Sequence, residues 1–244
     1  MNKLPVFPTI GMIIKNVFKE IYQSFSYSAL TSMVYGTVSF PILLIVFATF
    51  SMIADGSKKN INASEMFSIF IWALMLGAIW NTFVVAPITT AFYSLYQNKK
   101  ESYPGFKTFF SMLWKYYRPS ITINGLFSLA FILLFMNVMI ALLQRSTLLI
   151  VTGMVSFYLL IFIGLMSFYF APLIYLNNGI KKTIKKAFLL VLDNTGMTIV
   201  LMLILGILYG LTMIFPVFWF LIFGAILTYV TDLGFNKIYD RYDG

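Results

Sequence analysis

Residues 119–180 read PSITINGLFSLAFILLFMNVMIALLQRSTLLIVTGMVSFYLLIFIGLMSFYFAPLIYLNNGI, and their one charge is Arg145. An α-helix needs roughly 20 apolar residues to cross the ~30 Å hydrocarbon core of a bilayer. The runs on either side of Arg145, 119–144 and 146–180, each exceed that length. Two helices that cross and return satisfy their backbone N–H and C=O groups internally, which lipid cannot do for an open strand. The apolar residues run continuously rather than alternating, unlike the strands of a barrel.

Three further uncharged runs, 21–54, 66–98 and 194–231, flank this pair. The last is long enough for two short crossings, with Pro216 in MIFPVFWF as the turn; a single tilted helix is the other reading. The expected fold is all-α integral membrane, a six-transmembrane helix bundle forming one domain over residues 1–244. Its spans are expected near 27–53, 65–94, 119–143, 147–176, 194–214 and 217–234. Composition agrees: 60% of residues are hydrophobic, 10% are charged, and the mean hydropathy is +0.89. Soluble domains carry about 25% charged residues to make a polar surface.

The net charge is +9, from 17 Lys and Arg against 8 Asp and Glu. With six spans and the N-terminus inside, all of the basic residues except Lys58, Lys59 and Arg145 fall in cytoplasmic segments. The positive-inside rule therefore places both termini in the cytoplasm, the C-terminus on condition that 194–231 is a hairpin. Basic clusters between apolar runs are the mark of loops at a membrane surface, not of a nucleic-acid footprint, so no nucleic-acid partner is expected. The N-terminus, MNKLPVFPTIG, has no basic stretch leading straight into an apolar core and cleavage site, so no cleavable signal peptide is expected.

Three segments share one design: a glycine, an amphipathic helix, then a span. They occupy 11–25, 105–117 and 179–192, and begin at Gly11, Gly105 and Gly179. In the first, Ile14, Val17, Phe18, Ile21, Tyr22 and Phe25 recur at helical spacing; in the second, Phe106, Phe109, Phe110, Leu113 and Tyr116; in the third, Ile180, Ile184, Ala187, Phe188 and Val191. Such helices are expected to lie in the cytoplasmic interface as elbows, apolar face toward lipid. Their outward cations, Lys107, Lys115 and Arg118 in one and Lys181, Lys182, Lys185 and Lys186 in another, would meet anionic headgroups. Ala86-Pro87 and Ala171-Pro172 echo each other before two of the elbows, as if each proline marked where the chain leaves the bilayer. The expected plan is three loosely repeated elbow-plus-hairpin units of the same orientation, unlike the inverted repeats of many transporters.

Chemistry is constrained by what is missing. The chain has no cysteine and no histidine, which excludes disulfides, thiol catalysis, Cys/His metal sites and Ser-His-Asp chemistry. No Walker A loop or GxGxxG fingerprint occurs, and no cofactor is expected. Glu65, Asp193 and Asp232 all fall near expected span ends, so no carboxylate is placed at mid-membrane, where ion-driven transporters usually keep one. The candidate intramembrane polar residues are Asn81, Thr82 and Asn137, which could line a substrate path or hydrogen-bond between helices. Gly206 and Gly210 form a GxxxG pair that reads as a site of close helix packing within the chain.

The segment 86–121, APITTAFYSLYQNKKESYPGFKTFFSMLWKYYRPSI, resembles the YesL family of small bacterial membrane proteins. Pro87, Thr89, Thr90, Ala91 and Tyr93 match that family's proline-threonine-alanine-tyrosine stretch, and Phe109, Phe110, Trp114 and Lys115 its aromatic helix. Residues 168–199, FYFAPLIYLNNGIKKTIKKAFLLVLDNTGMTI, look like its second elbow. The resemblance covers roughly residues 70–235 and departs in the first 65. It implies a protein of the bacterial cytoplasmic membrane, encoded beside ABC-type carbohydrate uptake systems, with no established catalytic residues to carry over. The function expected is that of a non-enzymatic accessory or interaction partner of a membrane transport system. Its partners would be the lipid bilayer and an ABC-type permease. The alternative is a small-molecule or lipid transporter in its own right; an enzyme acting on lipid ranks third, for want of a placed base, nucleophile or metal.

Overall fold

The computed structural model describes residues 6–58, 62–98, 106–144, 146–214 and 219–240, and all regular structure in them is helical. In chain order the helices are α1 (Val6–Gln23), α2 (Phe25–Lys58), α3 (Ala63–Trp80), α4 (Ala86–Asn98), α5 (Phe106–Gln144), α6 (Thr147–Ser167), α7 (Phe170–Tyr175), α8 (Ile180–Asp193), α9 (Thr195–Ile214) and α10 (Gly224–Tyr239). Short π-helical turns at Asn81–Val85 and Trp219–Phe223 lead into α4 and α10. Five stretches are long and apolar enough to cross a membrane: Tyr27–Met52, Phe67–Asn98, Lys107–Gln144, Thr147–Ser167 and Phe220–Tyr239. The pair α8 and α9, bent by 98° at its break, is a sixth candidate. The described residues are thus those of an all-helical, multi-pass membrane protein, with five or six helices long and apolar enough to cross.

The helices alternate in direction. Thr82 pairs with Ser128 and Thr90 with Ser120, so the α3–α4 rod runs antiparallel to α5. Asn137 pairs with Ser156, setting α5 antiparallel to α6. The Tyr229 hydroxyl meets Ser24 and Ser28, while Phe220 meets Phe40, setting α10 antiparallel to α2. Tyr209 stacks edge-on against Phe223, and Leu201 lies beside Gly234, so α9 and α10 also run antiparallel as neighbours. The run 194–231 therefore holds two helices; Pro216, expected to turn it, lies outside the described residues, as do Lys3, Lys59, Lys99, Lys100, Gly105, Arg145 and Arg241.

The buried core gathers at one end, where α1, α7 and α8 meet the C-terminal half of α10. Tyr169, Leu173, Val191, Leu201, Tyr229 and Ile238 are almost wholly enclosed there. At the other end α2, α3, α5 and α6 keep broad apolar flanks outward, among them Phe47, Trp72, Leu142 and Leu148. Exposed leucine and phenylalanine in this density are costly in water and neutral in lipid, which is the physical reason a thin bundle suffices.

The two π turns have local causes. Pro87 has no N–H, and its ring would press on the carbonyl four residues back in a regular helix. The wider turn before it removes that clash, with the Ala86 N–H reaching back to the Asn81 carbonyl. The second turn leaves the Ala225 N–H to bond Ser32 Oγ of α2 at 3.0 Å. Gly224 makes that approach possible: a Cβ on it would lie 2.9 Å from Ser32 Cα.

Several boundaries differ from the expected ones. The first elbow is a separate helix, ending at Ser24, whose Oγ bonds back to the Glu20 carbonyl at 2.7 Å. Its apolar face is divided: Ile10, Ile13, Val17 and Ile21 pack on protein, while Phe18, Tyr22 and Phe25 of the adjoining turn are exposed. The third elbow is α8, ended by Asn194, whose side-chain amide returns to the Leu190 carbonyl. The second elbow, 105–117, is not an elbow, because α5 continues through Pro119 as one helix with the span 119–143. Two of its apolar residues cover α4 and α7: Phe109 packs on Phe92 at 5.1 Å, and Tyr116 is buried near Tyr175, while Phe110 stays exposed. The span expected at 147–176 ends at Ser167, and α7 is set off by a break at Phe168–Tyr169. Pro87 does not end its span either, for the helix runs on to Asn98 with Pro87 buried in it. Gly206 and Gly210 face open space, so the close helix contacts fall elsewhere, at Gly153, Gly224 and Gly234.

Candidate functional site: a polar-ended cavity between α2, α3, α5 and α6

Of the three intramembrane polar candidates, two are used up in holding helices together. The Thr82 hydroxyl is 3.0 Å from Ser128 Oγ across to α5. The Asn137 amide donates to Ser156 Oγ at 2.7 Å, joining α5 to α6. Bonds of this type contribute about 0.6–1.7 kcal/mol each in membrane bundles. Asn81 differs. It opens the π turn, and its side chain makes no hydrogen bond among the described residues; it borders a cavity of about 400 Å³. Successive residues of a helix point about 100° apart, so Thr82 faces α5 while Asn81 borders the cavity.

Asn124, Ser128 and Ser167 border the same cavity. The Asn124 amide nitrogen is engaged by the Ser120 carbonyl at 2.9 Å, which leaves its oxygen as an acceptor. Ser167 Oγ donates to the Gly164 carbonyl and keeps its lone pairs. The rest of the wall is apolar: Ile42, Leu74, Phe127, Phe131, Ile163 and Phe170. Ile42, Leu74 and Gly77 also border a second cleft of about 330 Å³, walled by Ile45, Val46, Phe50, Phe70 and Ala73. Its Thr49 hydroxyl is bonded to the Ile45 carbonyl at 2.7 Å. Polar groups thus sit at the end nearer the buried core, and hydrocarbon leads away from them.

The motif residues have a packing role in this geometry. Pro87, Thr90, Ala91 and Tyr93 are all buried. The Thr90 hydroxyl meets Ser120 at 3.2 Å, and Tyr93 packs edge-on against Tyr175 at 5.8 Å. The two Ala-Pro segments, one in α4 and one in α7, therefore lie side by side. Among the basic candidates, Lys107, Lys115, Arg118, Lys181, Lys182 and Lys185 are exposed. Lys186 is half-buried, with Nζ 3.0 Å from the Tyr239 hydroxyl and over its ring. The Lys115 ammonium sits 5.0 Å from the Tyr116 ring centre.

One polar centre was not anticipated. Asp232 is buried in α10, beside Gln97 at the C-terminal end of α4. Gln97 of α4 donates its amide to the Asp232 carboxyl group and to the Tyr93 hydroxyl, and Asn236 donates to the same carboxyl oxygen at 2.9 Å. A buried carboxyl group is costly unless donors surround it, and here they bind α4 to α10. The legible signal is spacing: Tyr229, Asp232 and Asn236 share one face of a helix, as do Tyr93 and Gln97. No group of three or more Asp, Glu, His or Cys side chains capable of holding a metal comes together among the described residues. No protein-family model, curated protein or solved structure matches the chain.

Proposed function

We propose that the protein is a non-enzymatic accessory subunit of a transport system in the bacterial cytoplasmic membrane, with six spans and its packed, lysine-bearing end in the cytoplasm. The observation that carries this reading is how the chain divides its surfaces. Polar side chains inside the bundle are engaged largely by the chain itself, bonding across to a neighbouring helix or back to a carbonyl of their own. The exposed groups include apolar flanks on α2, α3, α5 and α6, and cations on α1, α5 and α8. Apolar flanks suit lateral contact with another membrane protein, and Lys181, Lys182 and Lys185 suit an acidic cytoplasmic face or anionic headgroups. The resemblance to the YesL family supports the same reading, and an ABC-type permease for carbohydrate is the partner it points to.

The test is purification from the source cell in native nanodiscs, with quantitative mass spectrometry. A permease recovered at fixed stoichiometry, and lost on reversing charge with Lys181→Glu, Lys182→Glu and Lys185→Glu together, supports the proposal. A partner-free preparation overturns it. The second reading, a small-molecule or lipid permease, draws on the cavity at Asn81. Solute flux by the purified protein alone in proteoliposomes would establish it in place of the first.

A further inference from the structure

We propose that the joined cavities between α2, α3, α5 and α6 bind a neutral amphiphile: one hydrocarbon chain carrying a small hydroxyl- or carbonyl-bearing head. The inference needs the chain to lie in a membrane, but does not depend on the accessory role. Three observations select this ligand. Among the described residues, the lining of both cavities contains no Asp, Glu, Lys or Arg, so neither a phosphate nor an ammonium head finds a counter-charge there. Asn81 offers an amide with both donor and acceptor free of partners among the described residues, and the Asn124 oxygen stands on the same wall. An unpartnered amide at this depth is costly unless something bonds it, and a hydroxyl or carbonyl would do so. The adjoining cleft is hydrocarbon-lined, and each volume, about 400 and about 330 Å³, lies within the range of small-molecule sites.

Depth argues the same way. Ser128, level with Thr82, is ten residues from Arg118, or about 15 Å along α5 at 1.5 Å per residue. If Arg118 stands at the headgroups, the polar wall lies within the acyl region, beyond the reach of a phosphodiester head. A fatty alcohol, a monoacylglycerol or a quinone-like carbonyl compound can bring its head there. Gly77 borders both cavities and leaves space where they adjoin, since a Cβ on it would meet nothing within 4 Å.

The experiment uses the full chain in phosphatidylethanolamine/phosphatidylglycerol nanodiscs and a long-chain fatty alcohol with a diazirine in its chain. Labelling should saturate, map to residues 42–50 and 70–77, and be displaced by unlabelled fatty alcohol but not by the alkane of equal length. Asn81→Leu should weaken apparent affinity about tenfold, the effect of losing one or two buried hydrogen bonds. Gly77→Leu, which fills the passage without meeting a neighbour, should abolish labelling while the size-exclusion profile stays that of the parent chain. Unsaturable labelling, equal displacement by the alkane, or unchanged labelling in Gly77→Leu would overturn the proposal. So would equal labelling of these segments by a diazirine phospholipid.

Discussion

Gly206 and Gly224 stand in adjacent helices, and the same substitution should have opposite effects at them. A Cβ at Gly206 meets nothing within 4 Å, so alanine there gains helix propensity, up to about 1 kcal/mol. A Cβ at Gly224 lies 2.9 Å from Ser32 Cα, 2.9 Å from Tyr35 Cβ and 3.2 Å from the Thr31 carbonyl oxygen. Carbon atoms pack best at about 3.5–4.0 Å, so α2 and α10 must part by roughly 0.6–1 Å. Two of those three neighbours are backbone atoms and cannot swing aside. Overpacking of this kind costs about 1–3 kcal/mol. Parting the helices also stretches the bond from the Ala225 N–H to Ser32 Oγ, for about 1 kcal/mol more. After the propensity gain, Gly224→Ala should be destabilised by about 1–3 kcal/mol, and Gly206→Ala should be neutral or stabilised. The assay is the folded fraction by size exclusion after a heating series in mild detergent. Two variants that melt with the parent chain, or a Gly206→Ala variant that is the weaker of the pair, would refute the packing described for the last hairpin.

Asp232→Leu should lose about 2–4 kcal/mol, because the Gln97 and Asn236 amides are left without their acceptor; Asp232→Asn keeps an acceptor oxygen and should lose less. The same melting series checks both, and equal loss in the two variants would contradict the network. Asn137→Leu should cost about 0.6–1.7 kcal/mol. Adding Ser156→Ala should then cost little more; additive losses in that double-mutant cycle would show the two residues to be uncoupled.

Hydrophobic run length was enough to read the crossings, because a bilayer demands the same thing of every spanning helix. Asn81 was legible as a polar residue in an apolar run, but its free amide was not. That depends on which neighbour each residue meets in the fold, Ser128 for Thr82 and the cavity for Asn81. Amphipathic periodicity marked 11–25, 105–117 and 179–192 equally well, yet only two are separate helices. Periodicity says that a face will be covered, not whether lipid or α4 covers it, and for Phe109 and Tyr116 protein does. Distance along the chain from a span end did not say whether Asp232 is buried. Its burial comes from α4 and α10 standing side by side, a contact between residues far apart in sequence. The GxxxG at Gly206 and Gly210 meets no neighbouring helix closely among the described residues, where the close approaches use single glycines at 153, 224 and 234.

The central claim, a multi-pass protein whose lysine-bearing end faces the cytoplasm, is tested most directly by thiol accessibility in a chain with no natural cysteine. Thr147→Cys, at the start of α6, and Lys182→Cys, on α8, are exposed positions at opposite ends of the bundle. With a membrane-impermeant maleimide, Thr147→Cys should label in intact cells, and Lys182→Cys only after permeabilisation. Labelling of Lys182→Cys alone in intact cells would invert the orientation, and equal labelling of both would mean that the chain between them does not cross the membrane.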